Sequence, residues 1–144
     1  MEDQKIAFIK STYENTIPFH KFLGVKVELL EDNFTRVRVP FKNDLIGDFR
    51  NNRWHGGVIA SVMDSLGGLV GTMHFTSLED KLSTIDLRID YLHGAKAKDV
   101  LVEGKIVRLG NRILVVKMKA FQDDVLIAEG KGVYNFIRMG INAD

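Results

Sequence analysis

The chain has 144 residues, of which 45% are hydrophobic and 27% charged, a length for one domain and a composition that excludes a disordered chain. Twenty Lys and Arg against nineteen Asp and Glu leave a net charge of +1, so no phosphate-neutralising surface and no nucleic-acid partner are expected. The absence of cysteine excludes disulfides, a thiolate nucleophile and Cys-ligated metal centres. Residues 1–10 mix charged and apolar side chains and lack a signal-peptide pattern, and no apolar run reaches the ~18 residues of a membrane span. The expectation is a cytoplasmic protein folding as one domain over residues 1–144.

In chain order, Ile6, Ile9 and Tyr13 recur at helical spacing in a segment from Glu2 to about Glu14. Pro18 interrupts it, and Phe19, Phe22 and Leu23 form a second apolar turn that stops at Gly24. Residues 1–23 are therefore an N-terminal helical segment. Val25 to Glu31 and Phe34 to Pro40 read as strands around Asp32-Asn33. Lys42 to Trp54 is polar and irregular, a long loop of the kind that often carries function. Gly56 to Phe75 is the one long helical candidate. Thr84 to Leu92, Val100 to Leu109, Ile113 to Phe121 and Val125 to Ile137 are strand-like, the last three joined by hairpin-type turns at Gly110-Asn111 and Gln122-Asp123-Asp124. The order implies an α+β fold, with one long helix lying across an antiparallel sheet.

The long helix is sorted by size. On a helical wheel Val58, Ile59, Val62, Met63, Leu66, Leu69, Val70 and Met73 fall on one half, as core. Gly57, Ala60, Ser61, Asp64, Gly67, Gly68 and Gly71 fall on the other, which carries none of the long charged residues of a solvated face. Each internal glycine costs about 1 kcal/mol relative to alanine, and close approach of a backbone or a ligand is the usual offsetting reason. Asp64 sits in this cleared stripe. It is either an ordinary helix carboxylate, a cap across a helix-packing interface, or a functional group.

His55-Gly56-Gly57 precedes the helix. It reads as a helix-entry turn, or as a site where unpaired first-turn amides at the positive end of the helix dipole hold a polarised carbonyl oxygen. Gly57 and Asp64 lie two turns, about 10 Å, apart. That is too far for one reacting carbon, so either a substrate chain spans the gap or the two groups come from different subunits. No cluster has metal-ligand spacing, and no metal is expected.

Residues 54–64, with six residues between His55-Gly56-Gly57 and Asp64, and residues 83–92 together resemble the hot-dog-fold acyl-CoA thioesterases of the PaaI-like branch. Within it they resemble the YigI-type medium- and long-chain acyl-CoA thioesterases, over about residues 20 to 137. The resemblance implies a sheet wrapped around the central helix, a homodimer or dimer of dimers, and active sites that mix residues of two subunits. It further implies Asp64 as the catalytic carboxylate, the Gly56 amide as oxyanion hole beside His55, and Thr84 as a water-placing hydroxyl. The substrate it implies is an acyl-CoA, with CoA as part of that substrate and no separate cofactor. Gly57, Arg88, Arg108 and Arg112 are the candidate CoA contacts. Two departures from the pattern stand out. Relatives carry Asn or Gln in the loop before the HGG, where this chain offers Asp48, Asn51 and Asn52. They read Arg-Pro-Gly after the strand, where this chain has His93-Gly94-Ala95. The alternatives are a hot-dog enoyl-thioester hydratase or dehydratase with His55 as base and Asp64 as acid, or a non-catalytic acyl-CoA-binding module. His20 and His74 are expected to be packing or surface residues, and Met63, Phe75, Phe19 and Phe22 belong to either core or pocket.

Overall fold

The computed structural model describes residues 1–139. The chain opens with helix α1 (Glu2–Ser11), passes through a π-helical turn (Thr12–Thr16) and continues as α2 (Pro18–Leu23). Pro18 takes the first position of α2, where its missing N–H has no helical partner to lose, so it starts this helix as well as ending the preceding one. Gly24 closes α2 in the left-handed region at φ 72°, donating back to the carbonyls of His20 and Lys21.

Strands β1 (Lys26–Leu30) and β2 (Phe34–Val39) follow. The polar stretch read as one loop contains more order than its composition suggests: a 3-10 turn (Asn43–Leu45) and a two-stranded ribbon of β3 (Ile46–Asp48) and β4 (Arg53–Trp54). Asp48 organises the turn between them. Its carboxylate accepts from the backbone N–H of Arg50 and Asn51 and from Asn51 Nδ2, which holds its own pKa below the usual carboxylate range. Asn52 supplies the positive φ of 50°.

Helix α3 (Gly56–Thr72) is followed by β5 (Lys81–Tyr91), β6 (Val100–Leu109), β7 (Ile113–Gln122) and β8 (Val125–Ile137). The helix stops three residues before Phe75 because His74 and Phe75 donate to carbonyls three residues back, Gly71 and Thr72, which tightens the chain out of α geometry. The sheet order is β1-β2-β6-β7-β8-β5, with each neighbouring pair antiparallel. β5 thus crosses the whole sheet after α3 to take the far edge. α3 lies against β2, β5, β6, β7 and β8. Its Ile59, Val62, Met63, Leu66, Leu69 and Val70 are buried with Val102, Val116, Met118 and Ala120 of the sheet, each such aliphatic side chain contributing about 1.5–3 kcal/mol.

The glycines of α3 do not share one role. Gly67 and Gly71 are buried toward the sheet: a methyl at 67 would land on the Tyr134 hydroxyl, and one at 71 on Leu82 and Leu114. The helix rides so close to the sheet that its core-facing arc is wider than the apolar half of the wheel. A methyl at Gly68 would meet no protein atom within 4 Å.

Candidate active site

Asp64 lies half-buried in the middle of α3. β5 runs beside it, and the Thr84 hydroxyl donates to Asp64 Oδ1 at 2.8 Å. The β5–β8 register slips between Thr84 and Asp86; such bulges re-aim side chains, and this one lies next to the hydroxyl that meets the helix. Tyr134 of β8 reaches up through the space left by Gly67, and its hydroxyl donates to the Asp64 carbonyl at 2.8 Å. Tyr13, on the π-helical turn, packs from the other side with its hydroxyl buried. Burial pushes the pKa of both tyrosines above the ordinary range, and the nearby Asp64 charge adds to the rise. Asp64 is therefore ringed by three hydroxyl-bearing side chains from three separate elements.

The second half of the site is the start of α3. His55 is its N-cap, in extended conformation, and its Nδ1 accepts from the Gly57 N–H at 2.9 Å, which assigns the proton of the neutral ring to Nε2. The His55 carbonyl accepts from Val58 N–H at 3.0 Å. With Gly57 and Val58 engaged, the Gly56 N–H is the first-turn amide left without an acceptor among the described residues. Tyr91, at the end of β5, steadies this turn by donating from its hydroxyl to the Gly56 carbonyl at 2.6 Å. A cavity of about 240 Å³ opens beside the free amide, lined by Arg53, Trp54, Gly56, Tyr91 and His93 among others.

The structure thus brings Asp64 and Thr84 together, and His55 with Gly56 and Gly57. It does not bring the two groups together within one chain, since eight residues of helix separate Gly56 from Asp64, a rise of about 12 Å. The arginines stand apart from both. Arg88 lies between Leu87 and Ile89, which pack on the core, so it projects from the opposite face of β5 and pairs with Asp90 at 3.6 Å. Arg108 and Arg112 are exposed around the β6–β7 turn. His20 is buried, its ring Nδ1 donating to the Tyr13 carbonyl at 2.9 Å, and burial lowers its pKa. His74 contacts the Asp32 carbonyl. Among the described residues no group of His, Cys, Asp and Glu is arranged to hold a metal ion, and no helix is long and apolar enough to cross a membrane.

Tyr13, Tyr91 and Tyr134 are the site residues that sequence reasoning missed. A tyrosine at an inward strand position whose hydroxyl needs a partner is a signal that Tyr134 carries, two residues after Gly132 in β8.

Residues 51–128 match the family described as the Thioesterase superfamily. The medium/long-chain acyl-CoA thioesterase YigI of Escherichia coli K12 is 31% identical over 92% of this chain and 94% of that protein. A crystal structure from Shewanella oneidensis, described as related to the thioesterase superfamily, is 29% identical over 93% of this chain and 96% of that one, with a TM-score of 0.82. A Haemophilus influenzae thioesterase, at 15% identity and a TM-score of 0.82, shares the fold. With its helix-wrapping antiparallel sheet and these likenesses along nearly its whole length, this chain belongs to the thioesterase superfamily, as a thioester hydrolase of the hot-dog fold.

Proposed function

We propose that the protein hydrolyses acyl-CoA thioesters of medium or long acyl chain to the free acid and CoA, in sites shared between two subunits. The observation that carries this reading is the pairing of an oriented carboxylate, Asp64 held by Thr84, with an unengaged helix-start amide at Gly56. The Gly56 N–H would receive the thioester oxygen, and a preorganised donor of this kind contributes about 2.7–4 kcal/mol to the transition state. Asp64 then acts on the carbonyl carbon, by drawing a proton from water or by attacking directly, with Thr84 fixing its aim. The thiol of CoA leaves. Its phosphates would fall to exposed cationic side chains, for which Arg88, Arg108 and Arg112 are the candidates, and Gly57 would be a backbone contact at the helix start.

The rise of about 12 Å along α3 from Gly56 to Asp64 asks for a second subunit, and β5 is the natural seam. It is an eleven-residue sheet edge with Ile85 57% exposed, Tyr91 51% and Leu92 just beyond. Long unpaired edges that expose large apolar side chains among charged ones leave a row of backbone groups open to pairing. Pairing two β5 edges sets the Asp64 side of one chain beside the α3 start of the other. A homodimer, or a dimer of dimers, follows.

Free-thiol release measured across acyl-CoAs from butanoyl to palmitoyl tests the reading, with Asp64→Asn alongside. Asp64-dependent CoA release favours it. Hydration of an enoyl-CoA without CoA release would favour a hydratase, whose base would be a group other than His55 in this tautomer, since its Nδ1 lone pair is taken by Gly57 N–H and its Nε2 carries the proton. Binding without turnover would favour a non-catalytic acyl-CoA module.

A further inference from the structure

Four cations stand in one line across the outer face of the sheet. Lys105 of β6 is directly opposite Lys117 of β7, Lys117 is opposite Lys131 of β8, and Lys131 is opposite Arg88 of β5. All four are exposed. Their chain neighbours Ile106, Val116, Met118, Leu87 and Ile89 pack into or against the core, so the four side chains project together from the face that α3 does not cover. At about 4.8 Å from strand to strand, the line is about 14 Å long.

This line works against the fold. Like charges directly opposite on neighbouring strands destabilise a sheet, and three such pairs follow one another in a chain whose net charge is only +1. Lysines commonly guard sheet edges against unwanted pairing, but β6, β7 and β8 are interior strands. Arg88 pairs with Asp90 at 3.6 Å, whereas the ion pairs among the described residues include none of Lys105, Lys117 and Lys131. The two flanks differ. On one side the register places Glu103, Lys119, Glu129 and Asp90, and on the other Arg108, Val115, Val133 and Asp86.

We propose that this line docks a partner protein through the acidic face of an α-helix laid across the strands. One turn of helix advances about 5.4 Å, so carboxylates on successive turns keep step with the strands within the reach of a lysine side chain, and four of them span the line. A line-shaped partner also keeps clear of Glu103, Glu129 and Asp90, against which a planar anionic membrane would press, and leans its apolar side on Val115 and Val133. Single-stranded nucleic acid asks for aromatic stacking platforms, and the four cations have none between them. The docking face is separate from the thioester chemistry, since Asp64 and Thr84 meet on the other side of the sheet.

The test titrates the full-length protein with two fluorescein-labelled helical peptides of identical composition, read by anisotropy at about 50 and 150 mM salt, where charges are screened to different extents. One peptide carries four glutamates on a single face, at i, i+4, i+7 and i+11, with two leucines beside them. The other has the same residues scattered around the helix. Wild type is expected to bind the first at least tenfold more tightly than the second, and less tightly at the higher salt. The double variant Lys117→Gln with Lys131→Gln should lose at least tenfold in that affinity, while kcat/KM for an acyl-CoA stays within twofold. Lys117→Gln alone should melt at or above wild type, because it removes two like-charge contacts. Peptides that bind within twofold of each other overturn the proposal, as does a double variant within twofold of wild type or a lowered melting temperature in Lys117→Gln. Lys117-dependent binding of phosphatidylserine vesicles or of oligo-dT in place of the facing peptide overturns it too. So does a fall in kcat/KM, which would give the line to CoA phosphates, or dissociation of the double variant in sedimentation velocity, which would give it to a second copy of the chain.

Discussion

Thr84 and Asp64, twenty residues apart and on different elements, meet at 2.8 Å between Oγ1 and Oδ1. This single contact ties the edge strand β5 to the middle of α3 and fixes which carboxylate oxygen is left to act. Removing it leaves the carboxylate in place but unaimed. A hydrogen bond to a charged group is worth about 1.5–3 kcal/mol, so Thr84→Val lowers kcat by about ten- to a hundredfold. KM changes far less, because the hydroxyl touches the carboxylate and not the acyl chain. Thr84→Ser retains most of the rate. Steady-state kinetics on one acyl-CoA distinguish the three proteins.

Adjacent glycines in α3 respond to the same substitution with opposite sign. Gly67→Ala drives a methyl into the Tyr134 hydroxyl, and overpacking of this kind costs about 1–3 kcal/mol, more than the helix gains from alanine. Gly68→Ala meets open space and gains up to about 1 kcal/mol in helix propensity. Urea midpoints below wild type for the first variant and at or above it for the second are the expected outcome.

The buried tyrosines make the fold sensitive to alkali. In the unfolded chain Tyr13 and Tyr134 ionise near the ordinary 10.0, and in the folded protein burial and the Asp64 charge raise both. Above pH 10 the unfolded chain therefore holds fewer protons than the folded one, and stability falls as pH rises. The contribution is intact below pH 10. Melting temperatures followed from pH 8 to 11.5 should drop beyond about pH 10 in wild type, and less steeply in Tyr134→Phe.

Much of this was legible in the residues. Alternation in β2 and the hairpin chemistry at Gln122-Asp123-Asp124 marked the strands, and both aspartates do take positive φ, at 47° and 66°. The bulky stripe of α3 marked its core face. Less legible was what depends on distance across the fold. Nothing local says that Gly67 faces Tyr134, because the two are 67 residues apart and meet only once β8 lies under α3. The ribbon of β3 and β4 escaped for a different reason. Its order comes from side-chain bonds of Asp48 to nearby amides, which periodicity does not register. Charge and nearness in sequence point to the arginines, whereas alternation along β5 sends Arg88 to the face away from the core.

The exposed edge of β5 predicts the assembly. Ile85 is 57% exposed on this edge strand, and a charge there opposes edge pairing. Ile85→Lys should shift the protein toward monomer in sedimentation velocity and lose acyl-CoA hydrolysis in parallel, while its circular dichroism stays that of wild type.

The central claim, that the carboxylate and the amide of one site come from two chains, is tested by mixing two inactive variants. Asp64→Asn removes the carboxylate, and Gly56→Pro removes the N–H at the first helical position, where proline is tolerated. His55, at φ −66° and ψ 121°, already has the extended conformation that a residue before proline prefers. If sites are shared, a mixed dimer contains one intact site, formed from the carboxylate of the proline variant and the amide of the asparagine variant. Equal amounts, unfolded and refolded together, should then regain about a quarter of wild-type activity through random pairing. Activity that stays at the residual level of the two parents, in a sample shown to contain mixed dimers, would place both groups in one subunit and contradict the account.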